Sequence, residues 1–218
     1  MKPYYEAGGM TIYHGDCRDV LPTLDVVDLV LTDPPYGIGE AAGKNKSRSK
    51  PFGGTGKTIF ATNYGTETWD DAAIADDLIA AVIAAGRYAA IFGGNYYALP
   101  AASCFLVWDK VNYSSDFADV EIAWTNYGTA ARLKAHQWNG MIRVGRETRY
   151  HPTQKPRDVM RWAIELCPKM PTSILDPFMG SGTTLRAAKD LGVKAIGIEI
   201  EEKYCEIAAN RLAQEVLF

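Results

Sequence analysis

The sequence predicts an α/β domain built on a mostly parallel, doubly wound sheet with helices on both faces. Apolar runs of strand length alternate with amphipathic runs of helix length along most of the 218 residues. Glycines, prolines and acidic residues stop several of the apolar runs, which is typical of the carboxyl ends of parallel strands. The chain is 47% hydrophobic and 22% charged, as in ordinary globular proteins. Its length suits one domain, residues 1–218, with a full core.

The first half of the chain is expected to contribute most of the strands. "MTIYHGD" (10–16) alternates in polarity and breaks at a glycine, and "VVDLVLTDPPYG" (26–37) is an apolar run stopped by two prolines. "AAIADDLIAAVIAAG" (72–86) predicts a helix that ends at Gly86. Three further strands are predicted over 87–97, 104–110 and 118–127.

The second half repeats the alternation. "PRDVMRWAIELCPKM" (156–170) predicts an amphipathic helix with Pro156 at its start. The remaining elements follow as strand (173–178), helix (182–192), strand (194–200) and helix (201–217).

Two segments lack this periodicity and are rich in basic residues. We expect a mobile basic loop over 38–68 and a short target-recognition insertion over 128–150. Residues 38–68 carry a net charge of +3 and residues 128–157 carry +6, whereas the whole chain carries −3. This distribution favours contact with a polyanion on one face, although two solvated basic loops would give the same pattern. The candidate DNA-binding residues are Lys44, Lys46, Arg48, Lys50, Lys57, Arg132, Lys134, Arg143, Arg146 and Arg149.

Other classes of protein are disfavoured by what the sequence lacks. It has neither an apolar run of membrane-spanning length nor a signal-peptide pattern, so we expect a cytoplasmic protein without a membrane partner. Its four cysteines are far apart and form no CxxC pair, so neither a metal site nor a disulfide framework is predicted.

"TDPPYG" (32–37) places a carboxylate, two prolines and an aromatic ring directly after an apolar strand. Consecutive prolines fix the backbone and leave its carbonyls available as acceptors. Asp33 and the Pro34 carbonyl could therefore accept the two hydrogens of an exocyclic amine while Tyr36 stacks on the ring that carries it. The alternative is a tight turn with an exposed tyrosine.

"DPFMGSGTT" (176–184) predicts a strand end, a glycine-rich turn and a helix start. Asp176 would repel an anion but match a cationic amine, and the helix N-terminus would match a carboxylate. Glu199 ends the next strand, where it could accept both hydroxyls of a ribose. An amino acid joined to a ribose indicates S-adenosylmethionine as the cofactor. Asp16 ends another strand and could meet the adenine amine of that cofactor or simply cap the next helix.

Together these motifs resemble the amino-methylating DNA methyltransferases. "DPPY" is similar to that family's catalytic motif, "DPFMGSGTT" to its cofactor loop, "GIEI" to its ribose-binding strand and "HPTQKP" (151–156) to the segment before the cofactor loop. The catalytic motif comes first and the cofactor loop last, which resembles the circularly permuted β group. The resemblance implies a Rossmann-like S-adenosylmethionine-dependent methyltransferase fold. It implies that Asp33, Pro34, Pro35 and Tyr36 carry catalysis. It also implies that the cofactor is lined by Asp16, Asp33, Thr153, Lys155, Asp176, Phe178, Gly180, Ser181, Gly182, Thr183 and Glu199.

The implied activity is methyl transfer to the exocyclic amine of a base flipped out of double-stranded DNA, as in restriction-modification systems. Adenine N6 is the expected target because the family's cytosine-N4 members more often have serine where this chain has Asp33. Cytosine N4, or less readily an RNA base or a protein amide, remains an alternative. The recognition insertion is short, so DNA reading must be shared with the loop after Tyr36, supplied by a second subunit of a homodimer, or be loose.

Overall fold

The computed structural model of the chain describes residues 1–37, 74–113, 118–139, 142–143, 147–151 and 153–214. The expected basic loop, 38–68, therefore lies outside the described residues, and so do its candidates Lys44, Lys46, Arg48, Lys50 and Lys57. Arg146 lies outside them as well.

Eleven strands and five α-helices are assigned within these ranges. The strands are β1 (Tyr5–Ala7), β2 (Met10–His14), β3 (Val27–Thr32), β4 (Gly86–Phe92), β5 (Phe105–Asp109), β6 (Val120–Thr125), β7 (Arg132–Ala135), β8 (Trp138–Asn139), β9 (Ile142–Arg143), β10 (Ser173–Asp176) and β11 (Lys194–Glu199). The helices are α1 (Cys17–Val20), α2 (Asp76–Ala84), α3 (Arg157–Glu165), α4 (Thr183–Asp190) and α5 (Glu202–Ala213).

Nine strands form one sheet in the order β1-β2-β11-β10-β3-β4-β6-β5-β7. The five strands from β2 to β4 run parallel to one another, whereas β1 and β6 pair antiparallel with their neighbours and β7 runs parallel to β5. Apolar side chains of the central strands are buried on both faces, as parallel strands require. Helices α3, α4 and α5 contribute to the core on one face, and α1 and α2 to the core on the other. The predicted doubly wound α/β fold is confirmed.

Part of the segment 128–150 belongs to the sheet. Strand β7 pairs with β5 from Leu106↔Arg132 to Asp109↔Ala135, and β8 with β9 forms a separate two-stranded ribbon. No strand was predicted here, because β7 is an edge strand whose four residues are exposed or only partly buried, so no run of apolar residues marks it.

The chain order places a topological switch point at the centre of the sheet. β10 and β3 are neighbours, but the chain leaves β10 through α4 to reach β11 on one side and leaves β3 through α2 to reach β4 on the other. Where successive connections diverge in this way, a crevice opens at the carboxyl ends of the strands. Asp33 and Asp176 immediately follow or end these two strands.

None of the helices in the described ranges is long and apolar enough to cross a membrane.

Candidate active site

A cavity of about 290 Å³ lies at this switch point. Its walls come from the turn after β2, the end of β3, His151 with residues 153–155, the glycine turn after β10 and the end of β11. The volume is close to the lower bound of roughly 300 Å³ for pockets that hold small organic ligands. The cavity therefore brings together the carboxyl ends of four parallel strands and part of the "HPTQKP" segment.

The glycine turn is held against α5 by a close backbone approach. Gly182 is the N-cap of α4 with φ of +77°, and a Cβ at this position would lie 2.8 Å from the Cβ of Ala208. Both the left-handed conformation and the contact distance favour glycine here. Gly182 shapes the turn from behind, because the cavity wall itself is formed by its neighbours Gly180, Ser181 and Thr183.

Asp176 is buried at the end of β10 and is held by neutral donors. The hydroxyls of Thr32 and Thr184 donate to its two oxygens at 2.6 and 2.5 Å, and the Phe178 N–H donates at 3.2 Å. Burial raises the pKa of Asp176 to about 6, against the opposing effect of these hydrogen bonds. A partly satisfied carboxylate of this kind presents negative charge to the cavity.

Glu199 ends β11, the strand next to β10, and also lines the cavity. It accepts hydrogen bonds from the Gly180 N–H at 3.0 Å and the Glu201 N–H at 2.8 Å. Burial raises the pKa of Glu199 to about 7, although both hydrogen bonds act in the opposite direction. The glycine turn and the strand that follows it are thus linked directly through Glu199.

Asp16 serves as the N-cap of α1 and also lines the cavity. It accepts a hydrogen bond from the Arg18 N–H at 2.9 Å and forms an ion pair with the Arg18 guanidinium at 2.7 Å. The hydrogen bonds from Arg18 hold the pKa of Asp16 below its usual value. The capping role left open by the sequence is therefore present, together with a position on the cavity wall.

The "DPPY" turn is braced by a second aromatic segment. The Tyr36 hydroxyl donates to Asp33 Oδ1, and the Tyr97 hydroxyl donates to the Pro35 carbonyl at 2.6 Å. The Tyr36 ring stacks on Tyr96 with centroids 4.8 Å apart and planes inclined by 16°. A Cβ on Gly93 would lie 2.0 Å from the Tyr36 ring, so only a glycine at that position leaves room for the ring. Three residues outside the motif, Gly93, Tyr96 and Tyr97, thus contact the turn.

Asp33 belongs to a row of four charged side chains. Its Oδ2 lies 2.5 Å from Lys155 Nζ, and the same ammonium lies 2.9 Å from Glu121 Oε2 on β6. Lys110, which follows β5, forms an ion pair with the other oxygen of Glu121. We call Asp33, Lys155, Glu121 and Lys110 the charge row.

Burial and ion pairing oppose each other within the charge row. Burial raises the pKa of Asp33 above its usual value despite the neighbouring ammonium of Lys155. Burial would also raise the pKa of Glu121, but Lys155 and Lys110 lower it to about 2. For Lys155, burial lowers the pKa and the two carboxylates raise it by more, so the ammonium form is favoured.

The "HPTQKP" segment is tied to the glycine turn through Gln154. The Gln154 Oε1 accepts from the Ser181 hydroxyl at 3.2 Å, and Arg211 on α5 donates to the Ser181 carbonyl at 2.5 Å and to its hydroxyl at 3.1 Å. His151 packs edge-on against Tyr204 with centroids 4.4 Å apart. Burial lowers the pKa of His151 to about 3, so the ring is neutral, as a packing residue requires.

Most of the predicted cofactor residues share one cavity. The residues on its wall are Asp16, Asp33, Thr153, Lys155, Asp176, Phe178, Gly180, Ser181, Thr183 and Glu199, and Pro35 of the catalytic motif is among them. Pro34 is buried and Tyr36 half-buried, and neither lines this cavity. Lys155 lines the wall, and its Nζ forms ion pairs with Asp33 and Glu121.

The predicted DNA-binding residues within the described ranges belong to three segments of the chain. Arg132 is exposed and Lys134 partly buried on β7, and Arg143 lies on β9. The Nε of Arg149 donates to the His151 carbonyl at 3.2 Å. No group of His, Cys, Asp and Glu among the described residues is arranged to hold a metal ion.

Sequence reasoning missed Glu121, Lys110, Gln154 and Arg211. The sequence does contain an indication of Glu121 and Lys110, since a charged residue within or beside an apolar strand, here "VEIAW" and "FLVWDK", indicates a buried charge that needs a partner. It contains none for Arg211, because an arginine near the end of a helix is ordinarily exposed.

The doubly wound sheet and an acidic cavity at its switch point define the class as Rossmann-like α/β enzymes. The model of the DNA methylase family, whose label specifies N6 and N4 methylation, matches residues 101–210, about half of the chain. The protein belongs to this family of amino-methylating DNA methyltransferases.

Relatives and solved structures agree with this assignment. The chain is 29% identical to the Type II methyltransferase M.ScaI of Streptomyces caespitosus over 98% of its own length and 84% of that protein. The structure of an M1.HpyAVI–SAM complex is 23% identical with a TM-score of 0.59, covering 94% of this chain and all of that one. The cytosine-N4-specific PvuII DNA methyltransferase is 15% identical with a TM-score of 0.59, covering 100% of this chain and 91% of that one. At these identities the two structures establish the shared fold.

Proposed function

We propose that the protein transfers a methyl group from S-adenosylmethionine to the exocyclic N6 of adenine in double-stranded DNA. The observation that carries this proposal is the placement of Asp33 on one wall of a cavity whose other walls hold Asp176 and Glu199. A group bound between these walls would lie beside the amine acceptor of the "DPPY" turn. Proximity of this kind accelerates a reaction between two bound partners.

The residues on the wall fit S-adenosylmethionine. Asp176 keeps free lone pairs and a negative charge for a cationic amine, because its observed donors are two hydroxyls and one N–H. Glu199 is placed at the end of β11 to accept two ribose hydroxyls, and Asp16 lies on the same wall for the adenine amine. When bound, the cofactor supplies an electrophilic methyl group on a sulfonium.

The chain would prepare the target amine through the "DPPY" turn. An amine attached to an aromatic ring is a poor nucleophile because its lone pair is delocalised. Asp33 and the Pro34 carbonyl would accept the amine hydrogens and so localise that pair on nitrogen. As the nitrogen–methyl bond forms, the bond from the methyl group to the sulfonium would break and leave a neutral thioether. Asp33 would orient the amine throughout, and the surplus proton would pass to water after methyl transfer. The base must leave the duplex to reach this depth, and the stacked Tyr36–Tyr96 pair offers it an aromatic surface.

Adenine is proposed over cytosine because Asp33 occupies the first position of the catalytic motif. The fold is shared with the cytosine-N4-specific PvuII enzyme, so fold likeness does not separate the two bases. RNA and protein amides are disfavoured as substrates, since the family to which the chain belongs is one of DNA methylases.

The basic segments are proposed to hold the DNA. Arg132 and Lys134 on β7 and Arg149 beside residues 151–155 are candidates for phosphate contacts within the described residues. The recognition segment 128–150 is short, so we further propose that reading of a specific sequence is completed by a second copy of the chain. Sedimentation of the protein with and without DNA tests for that dimer.

The base is identified by expressing the protein in cells that lack DNA methylation and digesting their DNA to nucleosides for mass spectrometry. We expect N6-methyladenine in DNA from these cells and none with the Asp33→Ala variant. Finding N4-methylcytosine alone would overturn the choice of base, whereas full methyl transfer by Asp33→Ala would overturn the mechanism. Sequencing that reports methylated bases in context then gives the recognition sequence.

A further inference from the structure

We infer that Glu121 is a positioning residue of the methyl-transfer site and that it acts on Asp33 by sharing and neutralising the Lys155 ammonium. This inference rests on the proposed function. It assigns a role to a strand, β6, that lies on the far side of β4 from the cofactor cavity. Glu121 itself does not line that cavity.

The geometry singles out Lys155 as the contact between the two carboxylates. Lys155 Nζ lies 2.5 Å from Asp33 and 2.9 Å from Glu121, and its side chain is 6% exposed. A buried ammonium with one carboxylate partner would bind that partner tightly and polarise it, which weakens the carboxylate as an acceptor for the substrate amine. With two carboxylate partners, the hold on either one is reduced.

The charge count leads to the same conclusion. The charge row contains two carboxylates and two ammonium groups and is therefore neutral when all four are ionised. During methyl transfer the amine nitrogen becomes positively charged beside Asp33. Without Glu121 the row would carry a net positive charge at this place, and in a buried site such a charge opposes the reaction strongly.

Lys110 completes the arrangement with a second ion pair to Glu121, whose carboxylate form Lys155 favours more strongly than Lys110 does. Lys110 forms its ion pair with one Glu121 oxygen while Lys155 approaches the other, and its ammonium lies 5.1 Å from the centroid of the Trp108 ring. In the register of the β5–β6 hairpin Glu121 lies opposite Trp108, two residues before Lys110. Glu121 and Lys110 are therefore diagonal neighbours across the two strands. The hairpin thus delivers a fixed negative charge to Lys155.

The test uses Glu121→Gln, which keeps the shape and an acceptor for Lys155 but removes the charge. Purified proteins are assayed with labelled S-adenosylmethionine and unmethylated genomic DNA, so no recognition sequence needs to be known. We expect kcat to fall on the order of tenfold, with little change in cofactor affinity measured by calorimetry. Glu121→Asp should recover much of the loss because the charge returns.

A pH profile separates this role from a merely structural one. The titratable groups facing Asp33 are Lys155, Tyr36, Glu121 and Asp176. Loss of the Glu121 charge should move the acid limb of kcat to lower pH, whereas Lys110→Gln should move it to higher pH, each by on the order of half a unit. Two destabilised variants would not shift the limb in opposite directions.

The matched control is Glu165→Gln, which removes the exposed ion pair with Arg161 on α3 and should leave all these readouts unchanged. If wild-type protein transfers no label to DNA, the proposed function fails. If the wild type is active and Glu121→Gln keeps its kcat and its acid limb, the inference about Glu121 fails. Should Glu121→Gln not fold, judged by thermal unfolding, an unshifted acid limb in Lys110→Gln overturns the inference by itself.

Discussion

As rising pH ionises the Glu199 carboxyl, the free protein should become less stable and should bind its cofactor more tightly. Burial raises its pKa from 4.5 to about 7, so the folded state holds this proton more tightly than the unfolded state. A group of this kind favours folding below its unfolded pKa, and that contribution is lost as pH rises through the folded value. Stability should therefore decline between about pH 4.5 and 7 and level off above.

The magnitude follows from the size of the shift. Each pKa unit corresponds to about 1.4 kcal/mol, so a shift of this size changes the free energy of unfolding by about 2 to 3 kcal/mol between pH 5 and 8. Urea unfolding of wild type and Glu199→Gln at these two pH values isolates the effect. We expect Glu199→Gln to gain about that amount relative to wild type on going from pH 5 to 8.

Cofactor binding should respond with the opposite sign. The ionised carboxylate is the better acceptor for ribose hydroxyls, so the Kd of S-adenosylmethionine for the wild type should fall as pH rises from 6 to 8. Calorimetry on Glu199→Gln should give a weaker Kd with less pH dependence, the remainder being due to Asp176. A stability difference between the two proteins that does not change with pH would refute the reasoning, because it would mean that Glu199 titrates alike in the folded and unfolded states.

Three further changes test other parts of the site. Asp33→Asn should abolish methyl transfer while S-adenosylmethionine still binds in calorimetry, since its amide has lost the acceptor charge; comparable loss of binding would contradict a role confined to the amine. Gly182→Ala should cost about 1 to 3 kcal/mol more in urea unfolding than Gly192→Ala, because both have positive φ but a Cβ at 192 meets nothing within 4 Å; equal costs would disprove the close packing on α5. Arg211→Met should lose about 2 to 4 kcal/mol of unfolding free energy, since it removes the side-chain donor to the buried Ser181 carbonyl and the ion pair with Glu147; a loss no larger than that of the exposed Arg161→Met would contradict this.

The sequence predicted those parts of the molecule that depend on local pattern. Apolar runs that end at "DPPY" and "DPFMGSG" predicted β3, β10 and a ligand site at their ends. This was possible because the residues that form a turn at a strand end are adjacent in the sequence. The neighbourhood of β3 and β10 could be expected from the resemblance, although some 140 residues separate them in the chain. Edge strand β7 was not predicted because none of its four residues is fully buried, so no run of apolar residues marks it in the sequence.

The charge row could not be predicted because its members come from four separate segments. Asp33 follows β3, Lys110 follows β5, Glu121 lies on β6 and Lys155 precedes α3. The contacts among them depend on the antiparallel placement of β6 between β4 and β5, which is a property of sheet order rather than of any local pattern. Ionisable residues are coupled by distance in space, so their partners cannot be read from spacing along the chain.

Four carboxylates line the cavity, and they differ in the kind of partner that each one has. Asp16 is paired with Arg18, and Asp33 with Lys155. Asp176 and Glu199 have hydroxyl and backbone N–H donors, and no described cation lies within ion-pair distance of either one. Burial raises the pKa of both carboxyls, and no ion pair with a described cation offsets that effect. The free protein therefore carries an electrostatic cost at the two positions where the proposed cofactor would place a cationic amine and a pair of hydroxyl donors. Binding removes that cost, so part of the affinity comes from relieving the protein's own unfavourable charge.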